Sequence, residues 1–134
     1  MKAMLSGGCH CGAIRYEADA SPAAESNCHC EDCRGTTGAP FVAWLTVPLA
    51  AFRFTQGEPV RFRSSEHVSR TFCGLCGTAL TFHSINFADE VDITICSLDE
   101  PESVQPKWHI WTRSQLRWIK LADGLPTFPK SRSG

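Results

Sequence analysis

The sequence predicts a single, mostly β domain built of small antiparallel sheets, and two observations carry this prediction. The chain has 134 residues, which is close to the commonest size of one domain. Apolar and polar residues alternate in many short segments that turn residues separate, and no long segment has a period of 3.6 residues. Such a pattern is typical of all-β domains.

The predicted strands follow one another with short connections. They cover residues 13–18, 40–47, 52–54, 60–63, 79–83 and 91–96. The sequence Gln56-Gly57-Glu58-Pro59 has the composition of a turn, so the strands on either side of it are expected to pair as a hairpin. Residues 19–26 are expected to form a loop, and residues 48–51 and 99–102 are expected to form turns or single helical turns.

The charge balance and the N-terminus argue against several classes of protein. The formal net charge is -1, with 13 basic and 14 acidic residues, whereas nucleic-acid binders usually carry a basic excess. Residues 1–8 contain one Lys and no long apolar run, so we expect no secretion signal. No stretch approaches the ~20 apolar residues of a membrane span. We therefore expect a cytoplasmic protein that binds neither nucleic acid nor membranes.

Eight cysteines are the most informative part of the composition. In a reducing cytoplasm, clustered cysteines are more often metal ligands than disulfide partners. Cys28, Cys30 and Cys33 occur within six positions. In an extended segment Cys28 and Cys30 share one face while His29 points away, and in a helical turn Cys30 and Cys33 share a face. A strand that passes into a helix at Cys30 would therefore bring the three sulfur atoms together.

The residues that follow Cys30 suit such a helix start. Glu31 and Asp32 would lie in its first turn, where the helix dipole favours carboxylates and also favours thiolates over thiols. Three convergent thiolates form an incomplete tetrahedral zinc site, which is the catalytic kind. The alternative is a closed structural site with a fourth protein ligand. The candidates for that ligand are His29, His83, Cys96 and His109.

A second cysteine group predicts a structural zinc site. Cys73 and Cys76 have the spacing of a zinc knuckle, and the glycine after Cys76 permits the tight backbone that such turns need. Cys9 and Cys11, also flanked by glycines, supply the missing pair of thiolates. A four-thiolate site leaves no open position. Because Cys11 and Cys73 are 62 positions apart (73 − 11), this site would clip a sheet together rather than fold a local module.

The order of the motifs C-x-C, C-H-C-x-x-C and F-C-x-x-C-G resembles the family of glutathione-dependent formaldehyde-activating enzymes, also called the GFA or CENP-V-like family. The resemblance extends from Gly7-Gly8-Cys9-His10-Cys11-Gly12 to Asp123-Gly124-Leu125-Pro126. It also includes Gly38, Pro40-Phe41, Ser97-Leu98-Asp99 and the segment from His109 to Trp118. The resemblance implies a fold of small sheets around a zinc-ribbon-like core.

The resemblance also implies two zinc ions per chain and a function. The structural zinc would be held by Cys9, Cys11, Cys73 and Cys76, and the catalytic zinc by Cys28, Cys30 and Cys33. The implied activity is that of a carbon–sulfur lyase with glutathione as co-substrate, acting on thiol–aldehyde adducts such as S-hydroxymethylglutathione in formaldehyde detoxification. The alternative function is a non-catalytic structural zinc domain that binds a protein partner.

Several further residues carry weaker expectations. Arg34 stands beside the catalytic cluster and is a candidate to pair with a substrate carboxylate, although an ordinary surface arginine is the other interpretation. His83 and His109 are candidates for a general acid or base. Cys96 departs from the family pattern and is expected to be a small buried residue, with a stray ligand or reactive thiol as the alternative. Residues 1–126 are expected to form the zinc-binding β domain and residues 127–134 a loose tail.

Overall fold

The computed structural model describes residues 4–133, and these contain ten strands and one α-helix. The strands are β1 Met4–Gly8, β2 Arg15–Asp19, β3 Ala24–Cys28, β4 Val42–Pro48, β5 Phe52–Gln56, β6 Val60–Arg63, β7 Val68–Phe72, β8 Ala79–Ser84, β9 Glu90–Thr94 and β10 His109–Ile110. The helix, α1, is Glu31–Thr37, and short 3-10 helices occur at Leu49–Ala51, Ile85–Phe87, Ile95–Ser97, Pro101–Ser103 and Thr112–Ser114. The prediction of a mostly β domain of small sheets is confirmed.

The strands form two sheets. The first has the order β1-β2-β5 and the second the order β10-β3-β4-β9-β8-β7-β6. Neighbouring strands are antiparallel except for β10, which lies parallel to β3. The second sheet therefore brings the end of the chain next to the strand that ends at Cys28.

The hairpin predicted around residues 56–59 is wrong. β5 pairs with β2 in the first sheet and β6 pairs with β7 in the second, so the turn carries the chain from one sheet to the other. Phe52 and Phe54 pack against the first sheet's core, with Phe52 5.5 Å from the ring of Tyr16. Val60 and Phe62, in contrast, are exposed on β6. Tertiary packing, rather than the turn sequence, decides the partner of each strand.

The loop predicted at residues 19–26 is also partly wrong, because β3 begins at Ala24. The sequence of β3 has little strand character by itself, with Glu25, Ser26 and Asn27 in the middle. It becomes a strand because it lies between β4 and β10, which supply hydrogen-bond partners on both sides. This is a case in which the tertiary environment overrides the local sequence pattern.

The two faces of the second sheet cover two separate cores. Leu45 pairs with Ile93 on one face, and both pack with Tyr16 of the first sheet. The opposite face carries Trp44, because neighbouring residues of a strand point to opposite sides. Trp44 packs with Cys33 of α1, so the helix covers the face that lies away from the main core.

The C-terminal segment is attached to β10. The N–H of Phe128 donates to the carbonyl of His109 (2.9 Å), and the N–H of His109 donates to the carbonyl of Pro126 (2.9 Å). The guanidinium of Arg132 lies 4.2 Å from the ring centroid of Trp108. The segment expected to be a loose tail thus has defined contacts with the domain. Among residues 4–133, no helix is long and apolar enough to cross a membrane.

Candidate metal centres

The three-cysteine cluster consists of Cys28, Cys30 and Cys33, whose Sγ atoms all lie within 4.8 Å of one another. Cys28 is the last residue of β3, Cys30 is the N-cap of α1, and Cys33 lies in the first turn of that helix. The predicted passage from strand to helix at Cys30 is confirmed. Cys28 and Cys33 are buried and Cys30 is half-buried, so the sulfur atoms converge below the surface.

The sequence around Cys30 explains why α1 begins there. Cys30 has extended backbone angles, and its Sγ accepts a hydrogen bond from the N–H of Cys33 (3.3 Å) in the way that side chains commonly cap helices. Glu31 and Asp32 occupy the first turn as predicted. The helix ends after two turns at Gly38, whose φ of 70° suits the left-handed cap that glycine favours.

Sulfur contacts dominate the electrostatics of the three-cysteine cluster. The neighbouring thiols of Cys28 and then Cys33 hold the pKa of Cys30 well below its ordinary value. In return, the pKa of Cys28 is raised, first by its contact with Cys30 and then by Cys33 and burial. One thiolate within the cluster is thus stabilised by its neighbours, and a cation that replaces their protons would favour all three thiolates.

A buried arginine touches this cluster. The Nη2 and Nη1 atoms of Arg70, on β7, lie 3.8 and 3.9 Å from Cys33 Sγ. Its Nε donates to Ser64 Oγ (3.1 Å), and the guanidinium lies 5.0 Å from the ring centroid of Phe82. Arg70 could not be predicted from the sequence, because it is 37 positions from Cys33. The one available signal would have been an arginine at an inward-facing position of a strand.

The four-cysteine cluster consists of Cys9, Cys11, Cys73 and Cys76, whose Sγ atoms also lie within 4.8 Å of one another. The Sγ of Cys11 is 3.6 Å from that of Cys9 and 3.7 Å from that of Cys73. A tetrahedral site with zinc–sulfur bonds of about 2.3 Å has sulfur–sulfur distances of roughly 3.8 Å. The donor set and its spacing therefore fit a zinc ion.

Backbone N–H groups surround the four sulfur atoms. The N–H of Ile14 donates to Cys9 Sγ (3.2 Å), and those of Leu75 and Cys76 donate to Cys73 Sγ (3.3 and 3.4 Å). The hydroxyl and backbone of Thr78 lower the pKa of Cys76 to about 5. These dipoles stabilise thiolates.

Two glycines shape the turns of the four-cysteine cluster. Gly12 follows Cys11 and Gly77 follows Cys76, and both have a φ of 82°. Nothing lies within 4 Å of a Cβ built at either glycine. The requirement is therefore the left-handed backbone conformation and not a lack of space.

The four residues proposed as a fourth ligand for the three-cysteine cluster do not join it. Among residues 4–133, no additional His, Cys, Asp or Glu atom belongs to the group of three. His29 points away from the sulfur atoms, as predicted, and bonds to His109, while the Nε2 of His83 bonds to the carbonyl of Ala88. The three sulfur atoms therefore fit a zinc ion with one position left for another ligand.

The prediction that Cys96 is buried is wrong. Cys96 is exposed because β9 ends at Thr94 and the chain enters the 3-10 helix Ile95–Ser97, in which Ile95 takes the buried position. Strand alternation does not continue to Cys96, so its side chain turns to the surface.

A chain of hydrogen bonds lies behind the three-cysteine cluster. His29 Nε2 is 2.9 Å from His109 Nδ1, and His109 Nε2 is 2.8 Å from Asp123 Oδ2. Since the carboxylate of Asp123 accepts, His109 donates through Nε2, and when His109 is neutral its Nδ1 accepts from His29. Burial, followed by His109, lowers the pKa of His29 to about 4. This chain fastens the residue between Cys28 and Cys30 to the C-terminal segment.

Arg34 lies on the other side of His29. Its Nε donates to the carbonyl of His29 (3.3 Å), and it lines an open pocket of about 540 Å³ together with Leu116 and Trp118. The guanidinium therefore contacts the cysteine segment through its backbone, and the pocket leaves room for an anionic group beside it.

A cavity of about 550 Å³ lies between α1 and the strands β6, β7 and β8. Its wall contains Arg61 and Arg70, which are its charged residues, and the aromatic side chains of Trp44, Phe62 and Phe72. The residues Thr36 and Thr37 that follow Cys33 line it on one side, and Gly77 lines it on another. The cavity thus adjoins the three-cysteine cluster through Arg70, which contacts Cys33, and its basic, aromatic wall suits an anionic organic ligand.

Three comparisons relate this chain to known proteins. The family model described as glutathione-dependent formaldehyde-activating enzyme matches residues 4–114. An uncharacterized lyase of Schizosaccharomyces pombe is 36% identical over 87 residues, which are 60% of this chain and 58% of that protein. The crystal structure of a Rhodobacter sphaeroides protein has a TM-score of 0.59 at 19% identity, over 92% of this chain and 99% of that one. That last likeness concerns the fold alone.

Proposed function

Because the chain belongs to the glutathione-dependent formaldehyde-activating enzyme family, which is a glutathione-related lyase family, we propose that it is a zinc-dependent carbon–sulfur lyase. Its substrates would be adducts of glutathione with an aldehyde, of which S-hydroxymethylglutathione is the simplest. The three-cysteine cluster would hold a catalytic zinc and the four-cysteine cluster a structural one. The reaction would serve formaldehyde detoxification in the cytoplasm.

The observation that carries this proposal is the convergence of three sulfur atoms without a fourth protein ligand among residues 4–133. A structural zinc site with thiolate ligands normally has four protein ligands. The four-cysteine cluster has such a complete set, and the three-cysteine cluster has the donor set of a site with an open position. This difference weighs against the alternative, a non-catalytic zinc domain, since both sites would then be closed.

The residues around the cluster would bind and orient the adduct. A zinc ion bound by three thiolates supplies one open position that favours a further thiolate over a thiol. Glutathione carries two carboxylates, and Arg61 is exposed in the cavity wall, where a guanidinium can pair with a carboxylate. Trp44 and Phe72 would exclude water from the same wall. Arg34, in the open pocket beside α1, is a second candidate for a carboxylate.

The proposed reaction breaks one carbon–sulfur bond and needs no oxidant or reductant. The hydroxyl of S-hydroxymethylglutathione loses its proton, and the oxygen electron pair forms the carbonyl of formaldehyde. The electron pair of the carbon–sulfur bond leaves with sulfur, which then takes up a proton. The reverse reaction forms the same bond. A site that stabilises the departing sulfur as a thiolate lowers the barrier in both directions.

The test is the exchange of ¹³C-labelled formaldehyde between its free form and its glutathione adduct, followed by NMR. The zinc-loaded protein should raise the exchange rate above that of glutathione and formaldehyde alone. Cys30→Ser removes a ligand of the three-cysteine cluster and should return the rate to the uncatalysed value. Cys96→Ser is the matched control, since Cys96 is an exposed cysteine outside both clusters, and it should leave the rate unchanged.

Two results would contradict the proposal. One is a formaldehyde exchange rate that is no higher than the uncatalysed rate, measured with wild-type protein that contains two zinc ions per chain. The other is a catalysed rate that Cys30→Ser leaves intact, because the reaction would then occur away from the three-cysteine cluster.

A further inference from the structure

Arg70 is a buried cation without a carboxylate partner among residues 4–133. Its exposed fraction is 7%, and the ion pairs of the described residues do not include it. A buried charge is costly unless a group of opposite charge lies close to it. The contacts of Arg70 should therefore reveal which group supplies the negative charge.

The carboxylate that shares a sheet face with Arg70 belongs to Asp92, but the two groups form no ion pair; burial raises the pKa of Asp92, and the charge of Arg70 is only a weaker, lowering influence on it. Across the strands Arg70 pairs with Phe82, and Phe82 pairs with Asp92, so the three side chains form one row on one face. The ring of Phe82 stands between the two charges. The Oδ1 of Asp92 instead accepts a hydrogen bond from Thr46 (2.6 Å).

The group that Arg70 does face is the sulfur of Cys33. Both terminal nitrogens of the guanidinium lie within 4 Å of it, at 3.8 and 3.9 Å. The planar fork of arginine suits such a two-pronged contact with one anion. The ring of Phe82 and the hydroxyl of Ser64 hold the guanidinium from two further sides, so its position does not depend on a bound substrate.

Charge counting explains the contact. Three thiolates and one divalent cation have a net charge of about −1, because 2 − 3 = −1. The guanidinium of Arg70 brings the sum to zero below the surface. We infer that Arg70 is a positioning residue of the three-cysteine cluster, which fixes the sulfur of Cys33 and balances the negative charge that the cluster carries with its metal.

The inference extends the proposed function and rests on it only for the consequence in catalysis. An arriving thiolate would add a further negative charge at the open position. With Arg70 in place the assembly would carry about one negative charge, and without it about two. Arg70 would thus make the binding of an anionic sulfur ligand less unfavourable.

The experiment measures cobalt(II) binding at the three-cysteine cluster. Metal-free protein is first given one equivalent of zinc to fill the four-cysteine cluster, and cobalt is then titrated. Arg70→Gln should weaken cobalt binding by about tenfold to a hundredfold, as losses of outer partners of metal ligands commonly do. The sulfur-to-cobalt charge-transfer band should also move to longer wavelength, because the sulfur lone pairs lose their N–H partners.

Two further variants separate charge from fold. Arg70→Lys keeps the positive charge but loses the planar, two-nitrogen fork of the guanidinium. It should therefore weaken cobalt binding less than Arg70→Gln does and still move the charge-transfer band. Arg63→Gln removes an exposed cation of β6 that lies outside the cavity wall and donates to the carbonyl of Glu66, and it should change neither quantity. Circular dichroism checks that each variant is folded.

The inference would be overturned if folded Arg70→Gln bound cobalt with wild-type affinity and its sulfur-to-cobalt charge-transfer band did not move. If Arg70→Gln does not fold, Arg70→Lys decides by itself: a moved band supports the inference, and an unchanged band overturns it. These readouts need no turnover, so they can succeed even if the wild-type protein fails to catalyse formaldehyde exchange. Failure of the proposed function and failure of this inference are therefore distinguishable.

Discussion

The two cysteine clusters differ in how they stabilise negative charge. The four-cysteine cluster lies in two turns with Cys11 and Cys76 exposed, and backbone N–H groups donate to Cys9 and Cys73. The three-cysteine cluster lies below the surface, and a guanidinium faces Cys33. Solvent exposure and several fixed dipoles serve the first cluster, whereas the second has one backbone N–H, which donates to Cys30, and a buried cation, which faces Cys33.

One small domain can thus separate two uses of the same side chain. A cluster with four sulfur atoms, which complete a tetrahedral zinc site, is suited to joining parts of the chain. A cluster with three sulfur atoms, next to a basic cavity, is suited to binding a further ligand. The predictions below test whether the two roles are as separate as the geometry indicates.

The largest expected effect concerns stability. Cys73→Ser removes a ligand from the cluster that joins the two ends of the core, and structural zinc contributes directly to the free energy of folding. We expect the melting temperature of the zinc-loaded protein to fall by roughly 10 °C or more. Cys30→Ser should lower it by less than about 5 °C, because the helix and sheet around it keep their other contacts. Thermal unfolding followed by circular dichroism measures both.

Equal losses of melting temperature in the two variants would remove the division into a structural and a catalytic site. The exposed-cysteine variant Cys96→Ser provides the baseline for a cysteine replacement outside both clusters.

An intermediate effect is expected from metal removal. A zinc ion with three protein ligands and an open side should be lost to a chelator before a zinc ion with four, so two zinc ions per chain should leave in two phases. The first phase should leave the circular dichroism spectrum unchanged, and added glutathione should slow it by filling the open position. The apo cluster would then expose three adjacent thiols to oxidation. Thiol counting during the time course assigns each phase. A single phase of zinc loss that follows unfolding, with a rate that glutathione does not change, would mean that both sites are closed.

The smallest expected effect compares two glycines, one near each cluster. Gly77→Ala forces a side chain into a left-handed conformation beside Cys76 and should cost about 1–2 kcal/mol of unfolding free energy. Gly35 lies in α1 with open space around it. Gly35→Ala should therefore raise the free energy of unfolding by about 0.5–1 kcal/mol, since alanine is the better helix former. Denaturant unfolding measures both values. A destabilising Gly35→Ala would contradict the expectation that this helical position has room for a side chain.

The sequence predicts the three-cysteine cluster well because its determinants are local. The spacing of Cys28, Cys30 and Cys33 by itself fixes which faces they share, and the acidic first turn of α1 marks the change from strand to helix. The strand at 40–47 likewise follows from its own composition and corresponds to β4. In each case the physical cause lies within a few residues of the feature.

The features that the sequence did not predict depend on contacts between distant residues. The hydrogen bond between His29 and His109 joins positions 80 apart, and Arg70 meets Cys33 across 37 positions. β3 is a strand only because β4 and β10 flank it. No local pattern contains this information, since the same residues would be loops or ordinary surface side chains in another tertiary environment.

The sequence separation within the four-cysteine cluster has a consequence for the order of folding. A link between Cys11 and Cys73, which are 62 positions apart, closes a long loop in the unfolded chain, and chain-entropy estimates for such cross-links give about 4 kcal/mol. Cys28 and Cys33, only five positions apart, close almost no loop. A nascent or unfolded chain can therefore capture a metal ion at residues 28–33 early, whereas the other site is complete only after the two halves of the domain have met. The site that we expect to hold its metal less tightly in the native protein is in this way the easier one to fill during folding.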